Sequence, residues 1–265
     1  MRVIDLGQRN YRDVLTLQQK RLAEVVGDAS HEGFLLLVEH VPPVLTLGRS
    51  AKAEHILADE ATLRRAGIEV HEITRGGDVT YHGPGQLVAY PIIRLTPDGA
   101  GGTPASRSTG VPPVSRMGFQ PVQNSPRSQD GSIKQSQIEH PPSPEPLHGR
   151  EARATSGVRE YVHGLEQAII DCLATFGLSA TRRAGATGVW IGDEKIAAIG
   201  VAVRRWVTWH GLALNVNVNR THFNYIVPCG LRHTGITDMA SQLGRAITVG
   251  DVKPVLTECL RNILL

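Results

Sequence analysis

From Asp98 to Ser156 the chain carries nine of its 16 prolines, many Ser, Gly and Gln residues, and a single aromatic, Phe119. A segment of that composition buries too little apolar surface to offset the entropy of ordering it. Whatever this chain folds into must therefore be built from the flanking pieces, residues 1–97 and 157–265. The segment begins where an apolar strand pattern ends (Leu87 to Leu95) and stops where an amphipathic helix pattern begins (Val158 to about Phe176). It reads as one expanded loop, expected to be disordered, inside a single catalytic domain, because closure cost grows only logarithmically with loop length. Val111-Pro-Pro-Val-Ser within it has polyproline II character and is a candidate partner-binding segment, set against a plain spacer.

The remaining bulk features exclude several classes. A net charge of +3 and a pI near 8.9 lack the clustered Lys/Arg excess of a nucleic-acid binder, so no nucleic acid is expected, although an acidic partner surface fits. Cys172, Cys229 and Cys259 are odd in number and form no Cys-x-x-Cys pair, which argues against a disulfide framework or zinc ribbon. The first residues, Met-Arg-Val-Ile-Asp-Leu-Gly, hold no signal-like apolar stretch, and no run of about 18 apolar residues occurs anywhere. The expectation is a soluble, cytoplasmic protein with reduced thiols, no membrane association, no metal and no cofactor.

In the first piece, strands are expected at Val3 to Leu6, Phe34 to Val38, Val44 to Leu47, Ile68 to Ile73 and Leu87 to Leu95, with helices at Tyr11 to Val26 and Asp59 to Ala66. The second piece opens with the helix after the insertion and then turns β-rich, at Val189-Trp-Ile, Lys195 to Val203 and Trp206 to Val218. Gly192-Asp193 marks a hairpin turn. A last helix spans Val252 to Leu265, with Thr248 or Asp251 as its N-cap. Strands that cluster rather than alternate with helices predict an α+β fold, a mixed β-sheet flanked by helices.

Four polar segments stand out from this framework. Arg75-Gly-Gly-Asp-Val-Thr-Tyr-His-Gly-Pro-Gly-Gln86 concentrates glycines that let a backbone approach a ligand, yet it matches neither the dinucleotide fingerprint nor the Walker loop; a plain hairpin connection competes. Gly188-Val-Trp-Ile-Gly-Asp-Glu-Lys195-Ile-Ala-Ala-Ile-Gly200 is a hairpin whose return strand opens on a lysine, solvated by default but suited to act as a base if buried. His210-Gly-Leu-Ala-Leu-Asn-Val-Asn-Val-Asn219 has one apolar face and asparagines on the other, which either orient a ligand or meet water. His210 alone reads as structural. In Val227-Pro-Cys229-Gly230 a cysteine sits in a loop, whereas Cys172 and Cys259 lie in helical patterns as small core hydrophobes. A loop cysteine reacts only where a positive neighbour lowers its pKa.

In this order, the four segments resemble the octanoyltransferase family of lipoate biosynthesis. Its pattern is an Arg-Gly-Gly-x-x-Thr-Tyr-His-Gly-Pro-Gly-Gln loop, a Gly-Val-Trp hairpin leading to Lys-Ile, a His-Gly-Leu-Ala-Leu-Asn-Val-Asn strand and Pro-Cys-Gly. Val38-Glu-His40 and Gly48 to His55 extend the match. Asn219 stands where relatives usually carry aspartate, and the Asp98 to Ser156 insertion is foreign to the pattern. The resemblance implies the fold of biotin and lipoate protein ligases, with Cys229 as acyl acceptor, Lys195 as its activator and His82 in or beside the site. It implies a substrate pocket lined by Arg75, Gly76, Gly77, Asp78, Val79, Thr80, Tyr81, His82, Ala198, Ile199, Gly200, Gly211, Leu212 and Ala213. The implied partners are octanoyl-acyl carrier protein as donor, and the lipoyl domains of 2-oxoacid dehydrogenase complexes and the glycine cleavage H protein as acceptors.

The residue types suit that chemistry. Moving an acyl group from a thioester to an amine needs a nucleophile that also leaves well, and thiolate does both. Three alternatives remain: an ATP-dependent lipoate or biotin ligase, in which Cys229 is incidental; a non-catalytic module that docks carrier or lipoyl domains; and a zinc site on His82, His210 and Cys229, which lack motif spacing.

Overall fold

Strand alternation sorts the apolar residues onto two faces of one mixed sheet. The computed structural model describes residues 1–95, 157–227 and 235–265, all within one compact unit. The expected Asp98 to Ser156 insertion and Cys229 lie outside the described residues. The main sheet runs β1 (Arg2–Arg9), β2 (Phe34–His40), β6 (Gln86–Ile92), β10 (Val207–Asn215), β9 (Glu194–Arg204), β8 (Ala186–Ile191) and β7 (Thr181–Arg183), with β11 (Gly235–Ile236) attached to β9. The β1–β2 and β9–β11 pairs are parallel and the others antiparallel. A second sheet, β4 (Glu69–Glu72), β3 (Val44–Leu47) and β5 (Val79–His82), stands beside it in that order.

Leu35, Leu37, Leu87, Ala89, Leu212 and Leu214 point to a core shared with helices α3 (Gly157–Thr175) and α5 (Val249–Leu264), which contribute Leu165, Ile169, Cys172, Val252, Leu256 and Leu260. Their neighbours Leu36, Val38, Val88, Tyr90 and Ala213 point the other way, against Val14, Leu22 and Val25 of α1 (Tyr11–Gly27). This period-two division follows from the pleat. A third core under the small sheet joins Leu45, Val79 and Tyr81 to Leu63 of α2 (Glu60–Arg65), Phe223 and Ile226.

One irregularity matters for everything after it. Val189 pairs with Ala197 but Trp190 pairs with Lys195, so one step on β8 spans two on β9 and Ile196 is a bulge. Ile196 and Ala197 both enter the core with α3 and α5. Lys195 is thereby turned to the opposite face, because a bulge shifts the alternation by one residue.

Some expectations need correction. The Arg75 to Gln86 stretch holds a strand, β5, rather than only a hairpin loop. The strand expected to Val218 stops at Asn215, and the last helix begins at Val249 with Thr248 as its cap, Asp251 supplying the other half of a capping box. The short β7 and α4 (Met239–Leu243) carry too few residues for a periodic signal. Among the described residues no helix is long and apolar enough to cross a membrane.

Leu165 is fully buried between the sheet and α5. Leu165→Ala is expected to cost about 2–5 kcal/mol, read as a lower urea midpoint with an unchanged m-value.

Candidate active site

On the α1 side of the main sheet, a narrow cleft, partly open to solvent, lies between β6, β9, β10 and the small sheet. Val88, Ala198 and Ala213 make its apolar wall; Arg75, Thr80, His82, His210, Tyr11 and Tyr90 make its polar one.

The Arg75 loop is fastened by its own chemistry. The guanidinium donates to the Thr46 carbonyl (2.6 Å) and hydroxyl (3.0 Å) and to the Gly76 carbonyl (3.0 Å). Gly76 N–H donates to Val201 O of β9, and Gly48 N–H to Asp78 O. Glycine is required at positions 48 and 200: a Cβ on Gly48 would meet Gly77 O at 2.3 Å, and one on Gly200 would meet Arg75 Cδ at 2.9 Å. Asp78 accepts from Val79 N–H and stands 2.5 Å from His55 Nδ1. The Gly48 to His55 segment is thus the other wall of the loop.

Strand pleating divides the expected pocket residues. Arg75, Gly77, Asp78, Thr80, His82, Ala198, Ile199, Gly200, Gly211, Leu212 and Ala213 line the cleft. Val79 and Tyr81 face the third core instead, and Gly76 contacts β9 through its backbone. Lys195 is buried on the same strand, three residues before Ala198, but is not part of the cleft lining. Its Nζ stands 5.1 Å from the centre of the Trp190 ring. Gly188 makes room for it: a Cβ there would meet Lys195 Cε at 2.5 Å and Ala197 O at 2.6 Å.

Tyr11, Ile73, Val88, Tyr90 and His210 also line the cleft. Tyr11 and Tyr90 sit in segments that read as ordinary helix and strand, so no local signal marks them. His210 was legible only as a histidine beginning a polar-apolar strand; its backbone is left-handed, φ +57°. Among the described residues, the Tyr11 hydroxyl and His210 Nε2 are buried without hydrogen-bond partners. Each such group costs about 1–3 kcal/mol unless a ligand or water meets it.

Burial sets the charge state of this wall. It lowers the pKa of His40 to about 4 and that of His82 to about 3, where the neighbouring His40 adds to the effect, and it lowers His210 to about 3, where Arg75 adds to it. Burial likewise raises Tyr11 to about 12. At neutral pH the wall is therefore two uncharged imidazoles, with the uncharged His40 packed against one of them, and uncharged phenols around one guanidinium. His40 Nε2 accepts from the Tyr90 hydroxyl at 2.8 Å and its Nδ1 donates to Arg9 O at 3.3 Å. Asn219 caps the 3₁₀ turn Arg220–Tyr225 by accepting from Thr221 N–H. Among the described residues no group of three His, Cys, Asp or Glu is arranged to hold a metal.

With this geometry in view, residues 10–107 and 147–261 match the model of the lipoyl protein ligase A/B catalytic domain. The chain belongs to that family. Within it, the chain is 38% identical to an octanoyltransferase of Myxococcus xanthus over 96% of its own length, though it spans only 57% of that relative. It is 36% identical to an octanoyltransferase of Desulforamulus reducens, covering 92% of the chain and 82% of the relative. For one from Solibacter usitatus the figures are 39%, 89% and 80%. These relatives make the chain an enzyme of the acyltransferase class. The fold is that of a lipoate-protein ligase A crystallised with ATP, with TM-score 0.66 and 13% identity over 99% of this chain and 85% of that one. A bipartite lipoate protein ligase of Thermoplasma acidophilum gives TM-score 0.58 and 13% identity over 99% and 83%.

Two outcomes test the site as a structure. Gly188 has φ +127° and no space for a side chain, so Gly188→Ala is expected to destabilise the fold by about 1–3 kcal/mol in thermal melts and to displace Lys195. The three buried histidines bind protons in the unfolded chain below about pH 6.5 but stay neutral when folded until about pH 4 and 3. Unfolding free energy should therefore be complete above pH 6.5 and fall as pH drops from there, by up to about 1.4 kcal/mol per unit for each histidine. Urea titrations between pH 5 and 7 measure the slope; a flat profile would contradict buried neutral imidazoles.

Proposed function

We propose that the protein transfers an octanoyl group from octanoyl-acyl carrier protein to the target lysine of a lipoyl domain, through a thioester on Cys229. The observation that carries this reading is the pairing, on one strand, of a buried Lys195 with an apolar cleft wall at Ala198 to Gly200. From Lys195 to Gly200 the strand rises roughly 16 Å, enough to lay an eight-carbon tail along it. On this reading Cys229 is the nucleophile; it belongs to a segment outside the described residues whose far flank, Ile236, pairs with Lys195.

In the first half-reaction the Cys229 thiolate attacks the carrier thioester carbonyl and the carrier thiolate leaves. In the second, the target amine attacks the acyl-enzyme carbonyl, the amide forms and the Cys229 thiolate leaves. If the sulfur comes beside Lys195, the cationic ammonium favours thiolate in the first step. Acylation removes that negative charge, so Lys195 can hand its proton to the departing carrier thiolate and, as a neutral amine, take one from the attacking amine in the second step. The acceptors on this reading are lipoyl domains of 2-oxoacid dehydrogenase complexes and the glycine cleavage H protein; the enzyme acts in the cytoplasm and needs no cofactor. Tail length is selected gradually along the apolar wall, at about 0.8 kcal/mol, or fourfold in affinity, per methylene.

Incubation with octanoyl-carrier protein in the absence of ATP should add one octanoyl mass to the intact protein. The adduct should be labile to hydroxylamine and absent from Cys229→Ser. An adduct that forms only with free acid and ATP would overturn the thioester route in favour of ligase chemistry, and carrier binding without any adduct would favour a docking module. Lys195→Ala should slow both acylation and transfer by at least tenfold in rapid-quench assays; an effect on one step alone would rule out the dual role.

A further inference from the structure

Gln86 and Asn215 are buried polar residues on adjacent strands, paired in register at the end of the β6–β10 ladder. The functional reading above gives them no task. Their hydrogen bonds can be oriented without ambiguity, because two backbone carbonyls anchor the chain and a carbonyl can only accept. Asn215 donates from Nδ2 to Thr237 O at 3.0 Å, so its Oδ1 faces Gln86. Gln86 donates from Nε2 to that Oδ1 at 2.9 Å and to Tyr81 O at 3.2 Å, so its own Oε1 faces His82. That oxygen lies 2.8 Å from His82 Nδ1, which must therefore carry the proton. His82 Nε2 is left as a bare lone pair with no hydrogen-bond partner among the described residues, on a side chain that lines the cleft.

The same chain of bonds continues toward Lys195. Thr237, whose carbonyl holds Asn215, donates its N–H to Lys195 O at 3.1 Å, and its hydroxyl accepts from Gln242 at 2.9 Å. A shift of Asn215 would thus be felt at His82 on one side and at the Lys195 backbone on the other.

We propose that Gln86, backed by Asn215, is a positioning residue that holds His82 in the Nδ1–H tautomer, so that Nε2 serves as a hydrogen-bond acceptor for an N–H or O–H group of the bound substrate. This rests on the transfer reaction proposed above for its ligand, but the tautomer assignment stands apart from it. The burial of His82 supports the arrangement, since a neutral ring is needed for Nε2 to accept. Flipping the tautomer would present a donor to the substrate where an acceptor is needed, without removing any side chain from the cleft.

Nitrogen-15 imidazole spectra of the full-length wild-type protein should show His82 as the Nδ1–H tautomer from pH 8 down to pH 5. An Nε2–H tautomer in the wild type overturns the proposal outright, whatever the enzyme's reaction. Gln86→Leu removes the acceptor and should release the tautomer, lowering kcat tenfold or more with KM within about twofold. Gln86→Glu restores an acceptor to Nδ1 and should recover the tautomer and part of kcat. Its carboxylate would also favour the imidazolium and bring a new acid limb to the kcat profile at higher pH than in the wild type. A Gln86→Leu protein that keeps both the Nδ1–H tautomer and kcat sinks the positioning role. If the wild type showed the expected tautomer but formed no acyl adduct with octanoyl-carrier protein, the reaction would fall while the tautomer lock stood.

Discussion

A single inserted residue decides which side of the sheet Lys195 occupies. Ile196 breaks the ladder between β8 and β9, sends itself and Ala197 into the core under α3 and α5, and leaves Lys195 on the opposite face with Trp190. A regular strand would have placed Lys195 on the face of Ala197, where an ammonium would meet Leu165 and its neighbours without solvation. Everything about the site follows from this shift, including the glycine at position 188 that gives the lysine space. Bulges that re-aim a side chain beside an active site are a recurrent use of the motif.

The second constraint is electrostatic. The cleft wall gathers His82, His210, Tyr11 and Tyr90 around Arg75, with His40 packed against His82, and burial leaves little solvation for further charge. In such a setting imidazoles stay neutral and phenols stay protonated, and their hydrogen-bond directions carry the information that charges would carry at a surface. Each histidine whose partners are visible is read by a backbone or amide oxygen: His40 by Arg9 O, His82 by Gln86. This is how an uncharged polar wall can hold a definite pattern of donors and acceptors beside an apolar one.

Membership of the lipoyl protein ligase A/B family explains why a lipoate-protein ligase crystallised with ATP shares this backbone at 13% identity. In this chain that backbone is a mixed sheet with α3 and α5 on one face and α1 beside the cleft on the other. The chemistry done in that cleft is set by a few side chains at its rim and cannot be read from the backbone alone.

The sequence by itself determined the mixed α+β class and the four polar blocks, because composition, period and turn chemistry are local properties. It also marked Arg75, Thr80, His82, Ala198 to Gly200 and Gly211 to Ala213, which tertiary structure gathers at one cleft. It did not separate Val79 and Tyr81 from Thr80 and His82, a division made by the pleat of β5 once the small sheet has a core beneath it. Tyr11 and Tyr90 were invisible as cleft residues, since each looks like ordinary helix or strand until α1 is laid across β6. The face of Lys195 and the tautomer of His82 were decided only by tertiary structure: the first depends on a register shift against β8, the second on a hydrogen bond between Gln86 and Asn215, 129 residues apart. The first is a bulge inside a hairpin and the second spans 129 residues, and neither leaves a periodic trace in the chain.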